Sequence, residues 1–132
     1  MIPVMQKYLS SDTEYGDCWR ACIASILECD IELFPHPLMT EDWDKYYLKV
    51  FDALEKLGYQ WVGYTIENVE NSVFEAKDTN GYIIAVGKSP RSTEENRWNH
   101  AVVWKNGIVH DPHPDNTGIK DIITFEILVK IS

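Results

Sequence analysis

Asn99-His100-Ala101-Val102-Val103-Trp104-Lys105-Asn106-Gly107-Ile108-Val109-His110-Asp111 is the stretch whose reading decides the fold. Two apolar runs, Trp98 to Trp104 and Ile108 to Asp111, flank an Asn-Gly pair. Both turn residues tolerate positive φ, so the pattern predicts an antiparallel hairpin. A two-residue loop sets Lys105 opposite Ile108 and His100 opposite His113. Asp111 is then a diagonal neighbour of His100, within side-chain reach. A longer loop or a bulge shifts that register and can bring the two directly opposite.

Outward from the hairpin, the pattern stays β. Gly81 to Gly87 is a continuous apolar run, hence a buried strand. Lys88 to Asn96 is a polar loop, and Pro112 to Gly118 is rich in turn residues. Ile122 to Ile131 reads as a final strand, alternating in part through Phe125, Ile127, Val129 and Ile131. Tyr59 to Ile66 reads as another strand. Asn68 to Thr79 is ambiguous, with room for a short helix.

Before Gly58 the period changes to that of a helix. Trp43, Tyr46, Tyr47, Val50, Phe51, Leu54 and Leu57 recur at three and four, an amphipathic stripe that reads as core. Thr40 is its expected cap, and Gly58 its C′ residue. An earlier helix begins at Cys18, with Ala21, Cys22, Ser25 and Ile26 on one face and Ile23 and Leu27 beside them. Asp17 stands at its N-cap position, and Gly16 permits a sharp entry. Leu33 to Pro37 ends that unit. Ile2 to Tyr8 looks extended, and Ser10 to Gly16 is a polar loop. Helices first and antiparallel strands after make an α+β chain, read as a single domain over residues 1–132.

Composition bounds the function. The 132 residues are 45% hydrophobic and 25% charged, with five Trp, seven Tyr and four Phe. A disordered tail lacks such aromatics. Twenty-one acids against twelve bases give −9, which argues against a sequence-independent nucleic-acid binder. No run approaches the ~20 apolar residues of a membrane span, and no signal-like stretch opens the chain. The acids concentrate from Asp12 to Asp44, nine against one base, Arg20. Three cysteines, Cys18, Cys22 and Cys29, make a poor disulfide framework. Free thiols and no signal imply a reducing compartment, the cytoplasm.

Three local features could carry chemistry. Gly16-Asp17-Cys18-Trp19 opens a helix, where the dipole and unpaired amides favour a thiolate and can hold an oxyanion. Asp17 opposes this with a negative charge. His100 enters an apolar strand from a loop, well placed to face a cleft. His110-Asp111-Pro112-His113-Pro114 supplies an acid near it. A nucleophile, a base and an orienting acid are the parts of covalent acyl transfer.

Gly16-Asp17-Cys18-Trp19 resembles the Gly-Ser-Cys-Trp stretch of papain-like cysteine peptidases. The motif order is most similar to the bacteriocin-processing (double-glycine leader) peptidases of that superfamily. The matching segments are Pro3-Val4-Met5-Gln6, Cys18 with Ala21 to Leu27, His100-Ala101-Val102-Val103 and Asp111-Pro112. Gly87-Lys88-Ser89-Pro90-Arg91 and His110 to Pro114 also resemble small uncharacterised phage-encoded proteins. The resemblance implies a papain-like domain and a hydrolase of amide, peptide or isopeptide bonds, working through a thioester. Cys18 would be the nucleophile, His100 the base and then the acid, and Asp111 the residue holding the imidazole. Gln6 would share the oxyanion hole with the Cys18 amide. Trp19, Arg91 and His113 are the expected substrate-binding residues, for a peptide or protein substrate. Lys88, Arg91 and Arg97 could receive a carboxylate. Such chemistry calls for no metal and no cofactor.

Three other readings remain open. Cys18, Cys22, His110 and His113 are a chemically sensible zinc set. A binding or inhibitory module on the same scaffold, possible for a phage protein that grips a host factor, needs no catalysis. An acyl transferase would pass the acyl group to an amine instead of water.

Overall fold

The helix that begins at Cys18 is buried on nearly every side, because residues from Arg20 to Ile26 all lose contact with solvent. The computed structural model describes residues 1–11, 13–65 and 76–131. This first helix, α1, spans Cys18–Leu27 and follows Asp17 as expected. It ends at Glu28, whose left-handed backbone (φ 55°) returns its N–H to Ala24 O.

The second helix, α2, spans Trp43–Lys56. Its cap is Asp42, not Thr40: the Asp42 carboxylate accepts from the Asp44 N–H at 3.0 Å. Thr40 lies in a preceding turn closed by Glu41 N–H donating to Leu38 O. Gly58 follows the helix at φ 86°, the left-handed conformation a C′ glycine supplies without strain. The aromatic stripe divides. Tyr46, Val50 and Leu54, spaced by four, are buried in the core. Trp43, Tyr47 and Phe51, read as core from their spacing, instead form one wall of a cleft. Spacing identifies a helical face, but not where its edge meets solvent.

Five strands follow: β1 Tyr59–Thr65, β2 Ile83–Lys88, β3 Asn99–Trp104, β4 Ile108–His110 and β5 Lys120–Lys130. They form one antiparallel sheet in the order β1-β5-β2-β3-β4. The end of the expected first strand, Ile66, and most of the ambiguous 68–79 stretch lie outside the described residues. Its last part, Ala76–Thr79, is a 3₁₀ turn. The architecture is α+β, two helices packed on a five-stranded antiparallel sheet.

The hairpin departs from expectation only at its tip. Val103 faces His110, as a two-residue loop requires. Beyond a shift of register, Trp104 faces Ile108, so Lys105 does not. Asn106 (φ 56°) and Gly107 (φ 130°) both adopt left-handed conformations in the wider turn.

Both sheet faces are covered, which is why β2 and β3 read as continuous apolar runs. Ile84, Val103 and Leu128 join Ile23, Val50 and Leu54 beneath the helices. Ile83, Ala85, Val102, Phe125 and Ile127 build a second cluster on the other face. Each such aliphatic side chain contributes about 1.5–3 kcal/mol when fully buried.

A second irregularity sits at Gly87, which pairs with His100. The β2–β5 register shifts on either side of Gly87. A Cβ there would lie 2.8 Å from Lys120 O and 3.2 Å from Asp121 O. Only glycine lets the β5 backbone pass this close to the strand that seats His100.

Candidate active site

Cys18 is the first residue of α1 and is half-buried. Helix starts leave their first amide groups without intrahelical partners. Asp17 is positioned as the cap, yet its side chain makes no capping hydrogen bond. Its Oδ1 accepts instead from the Tyr8 N–H, and its Oδ2 from Arg20 Nε, each at 2.9 Å. Arg20 also donates to Phe34 O at 2.9 Å. Both side chains are buried, so this pair neutralises the charge that would oppose a thiolate next door. Arg20, the single base in the acidic stretch, is the partner the sequence reading missed.

His100 is 3% exposed, and its Nε2 lies 2.7 Å from Asp111 Oδ1. Cys18 lines the same cavity as the His100 ring and favours the ring's charged form. Burial works against charge on the ring. The hydrogen bond to Asp111 and its negative charge, with the Cys18 thiol beside the ring, outweigh it and push the imidazole up to about 9. Asp111 is fixed in turn: its Oδ1 accepts from the His113 N–H at 2.9 Å and its Oδ2 from the Gly118 N–H at 2.8 Å. Burial raises this carboxyl, but the three hydrogen bonds prevail and hold it below its ordinary value. The nucleophile candidate, the base and the orienting acid therefore meet, from α1, the start of β3 and the residue after β4.

Gln6 reaches the same place. Its backbone N–H donates to Pro112 O at 3.0 Å, tying the extended opening segment beside Asp111-Pro112. Its Nε2 donates to Tyr8 O at 2.7 Å, while Oε1 is buried without a partner. Gly16 makes the approach possible: a Cβ there would lie 3.2 Å from Gln6 Nε2 and 2.8 Å from Ser10 Oγ. Gln6, Cys18, His100, Arg91 and His113 all line one small cavity of about 60 Å³.

Arg91 borders that cavity, but its guanidinium is engaged. Nη1 bonds both Asp115 carboxylate oxygens, at 2.9 and 3.0 Å, and Thr117 Oγ1 at 2.9 Å. The expected carboxylate receiver is thus already paired within the chain. His113 stands edge-on to His100 at 6.1 Å, and its Nδ1 accepts from the Asp115 N–H at 3.1 Å. Burial, then the charge of Arg91, pulls its imidazole below the usual range.

Trp19 lines a larger cleft of about 820 Å³ that Cys18 and His100 also border. Its indole meets Tyr47 and Phe51 edge-on, at 5.4 and 6.3 Å. Trp19 Nε1 donates to Glu126 Oε1 at 2.7 Å. Glu126 went unnoticed in the sequence, although a lone acid inside Phe125-Glu126-Ile127-Leu128 is the signal that could have found it.

The zinc set does not assemble. Cys22 is fully buried, and burial pushes its thiol well up. His110 Nε2 is 2.8 Å from Val4 O. Among the described residues, no group of three or more His, Cys, Asp or Glu side chains is disposed to hold a metal ion. Among them, no helix is long and apolar enough to cross a membrane. Comparison of the chain with protein-family models, with curated proteins and with solved structures gives no match.

Proposed function

We propose that the protein is a papain-like cysteine hydrolase that cleaves amide, peptide or isopeptide bonds. One observation carries the reading: His100, hydrogen-bonded to Asp111 through Nε2, lines one cavity with Cys18 at the start of a helix. A structural histidine needs no thiol at a helix start, and a buried structural cysteine needs no charged imidazole.

Chemistry follows from the arrangement. The Cys18 thiolate attacks the carbonyl carbon, and the carbonyl π pair moves to oxygen. The Cys18 N–H and the Gln6 amide donate to that oxyanion. As the oxyanion collapses, the C–N bond breaks and His100 gives its proton to the departing amine. A thioester on Cys18 remains. Neutral His100 then takes a proton from water as it attacks the thioester, releasing the carboxylic acid and regenerating the Cys18–imidazolium pair. Asp111 stabilises the imidazolium in both steps.

The test uses p-nitrophenyl acetate and intact-protein mass spectrometry. The expected result is one acetyl group on Cys18 that water removes, absent in Cys18→Ala and formed slowly in His100→Ala. Acetylation spread over lysines with none on Cys18 contradicts the proposal.

A further inference from the structure

We infer that the large cleft beside Cys18 is a subsite for a cationic side chain of the substrate, lysine or arginine, with Glu126 as its counter-ion and aromatic rings as its walls. The word subsite rests on the hydrolase reading; the cation preference does not.

Glu126 is where the argument starts. It lies on β5 between Gly63 of β1 and Ile84 of β2, on the face beneath the helices. It is 9% exposed and borders the 820 Å³ cleft. Acids this buried are almost always paired with a cation. Glu126 has none among the described residues; the Trp19 indole donates to it, while the Trp61 indole nitrogen is buried without a hydrogen-bond partner. A carboxylate has about four lone-pair sites, so the Trp19 N–H leaves it only partly satisfied. Burial raises this carboxyl despite the Trp19 indole. An arriving cation would favour the charged form.

The rings around the acid match that occupant. Trp19 stands nearly perpendicular to Tyr47 (84°) and Phe51 (86°), and Phe51 lies 5.2 Å from Trp61. Rings set at right angles around a cavity present both faces and edges, and a face attracts a cation within about 6 Å. Gly63 lets the Trp61 ring lie against the β1 backbone, where a Cβ would strike it at 2.7 Å. Tyr47 remains 40% exposed on α2 and lines the same cleft, so its ring is open to an occupant. The chain's −9 charge also draws cations toward it.

The experiment titrates Cys18→Ala protein with Nα-acetyl-lysine amide and with its uncharged counterpart, Nα-acetyl-norleucine amide, following tryptophan fluorescence. Lysine amide should bind about tenfold or more tightly, the scale of one desolvated cation–π contact. That preference should fall with added salt and shrink to within about twofold in Cys18→Ala/Glu126→Gln protein. Equal or tighter binding of norleucine amide, or a lysine preference that survives Glu126→Gln, overturns the inference. The first comparison needs no change at Glu126, so misfolding of that variant does not protect the idea. Loss of acetylation at Cys18 with the lysine preference intact would sink the hydrolase reading alone.

Discussion

His100 Nε2 sits 2.7 Å from Asp111 Oδ1, the two residues coming from the two strands of a hairpin at its open end. Asp111 is the diagonal neighbour that the Val103–His110 pairing creates. It is held by the N–H groups of His113 and Gly118, so it cannot turn away to solvent. The imidazole is thereby held in the wall of the cavity that Cys18 also lines.

Asp111→Asn keeps the shape and removes the charge. His100, pushed to about 9 in part by Asp111, should then titrate closer to its ordinary 6.5. Nuclear magnetic resonance titration of the His100 ring checks this. A value that stays near 9 would show that Asp111 does not support the charge.

The pH dependence of stability has a definite sign. His100 is raised in the folded state, so its contribution is complete below pH 6.5 and is lost as pH rises through about 9. Asp111 is lowered, so its contribution is present above pH 3.8 and is lost as pH falls below that value. Urea unfolding between pH 6.5 and 9.5 should show a falling midpoint that flattens in His100→Gln. Any turnover should also decline on an alkaline limb near 9, where the proton donor disappears.

Arg20→Met leaves Asp17 buried and uncompensated. Removing one partner of a buried pair costs about 3–5 kcal/mol, a fall in Tm of roughly 10–20 °C. Adding Asp17→Asn should recover much of that loss, because the stranded charge is then gone. Calorimetry of the two variants separates a pairing role from simple packing of the Arg20 stem.

Gly87→Ala drives a methyl group into the Lys120 and Asp121 carbonyls. Overpacking of this kind costs about 1–3 kcal/mol. Because Gly87 pairs with His100, the change should also slow p-nitrophenyl acetate turnover more than the loss of stability explains. Unchanged turnover in folded protein would show that the β5 approach does not seat the histidine.

Helix and strand identities were legible from periodicity, and the Cys18 helix start from Gly16-Asp17. The His100–Asp111 proximity was legible because hairpin register follows from the turn. The α2 cap was not: Thr40 and Asp42 both suit a cap, and only the turn at Leu38–Glu41 decides between them. Arg91 announced its charge but not its partner, since Asp115 meets it across two loops. Glu126 was hidden because alternation assigns a strand acid to solvent, whereas both faces of this sheet are covered. Local signals fixed the elements; the missed site residues depend on which elements come to face each other.

The most direct test of the central claim compares alkylation of Cys18 with that of Cys29, which is similarly half-buried. Native protein is treated with limiting iodoacetamide at neutral pH, and labelling rates are read by peptide mapping. Activation by His100 predicts that Cys18 reacts roughly tenfold or more faster than Cys29, because thiolate is the nucleophilic form. His100→Ala should bring the two rates together. Equal rates in the native protein, or a Cys18 advantage untouched by His100→Ala, would contradict the account.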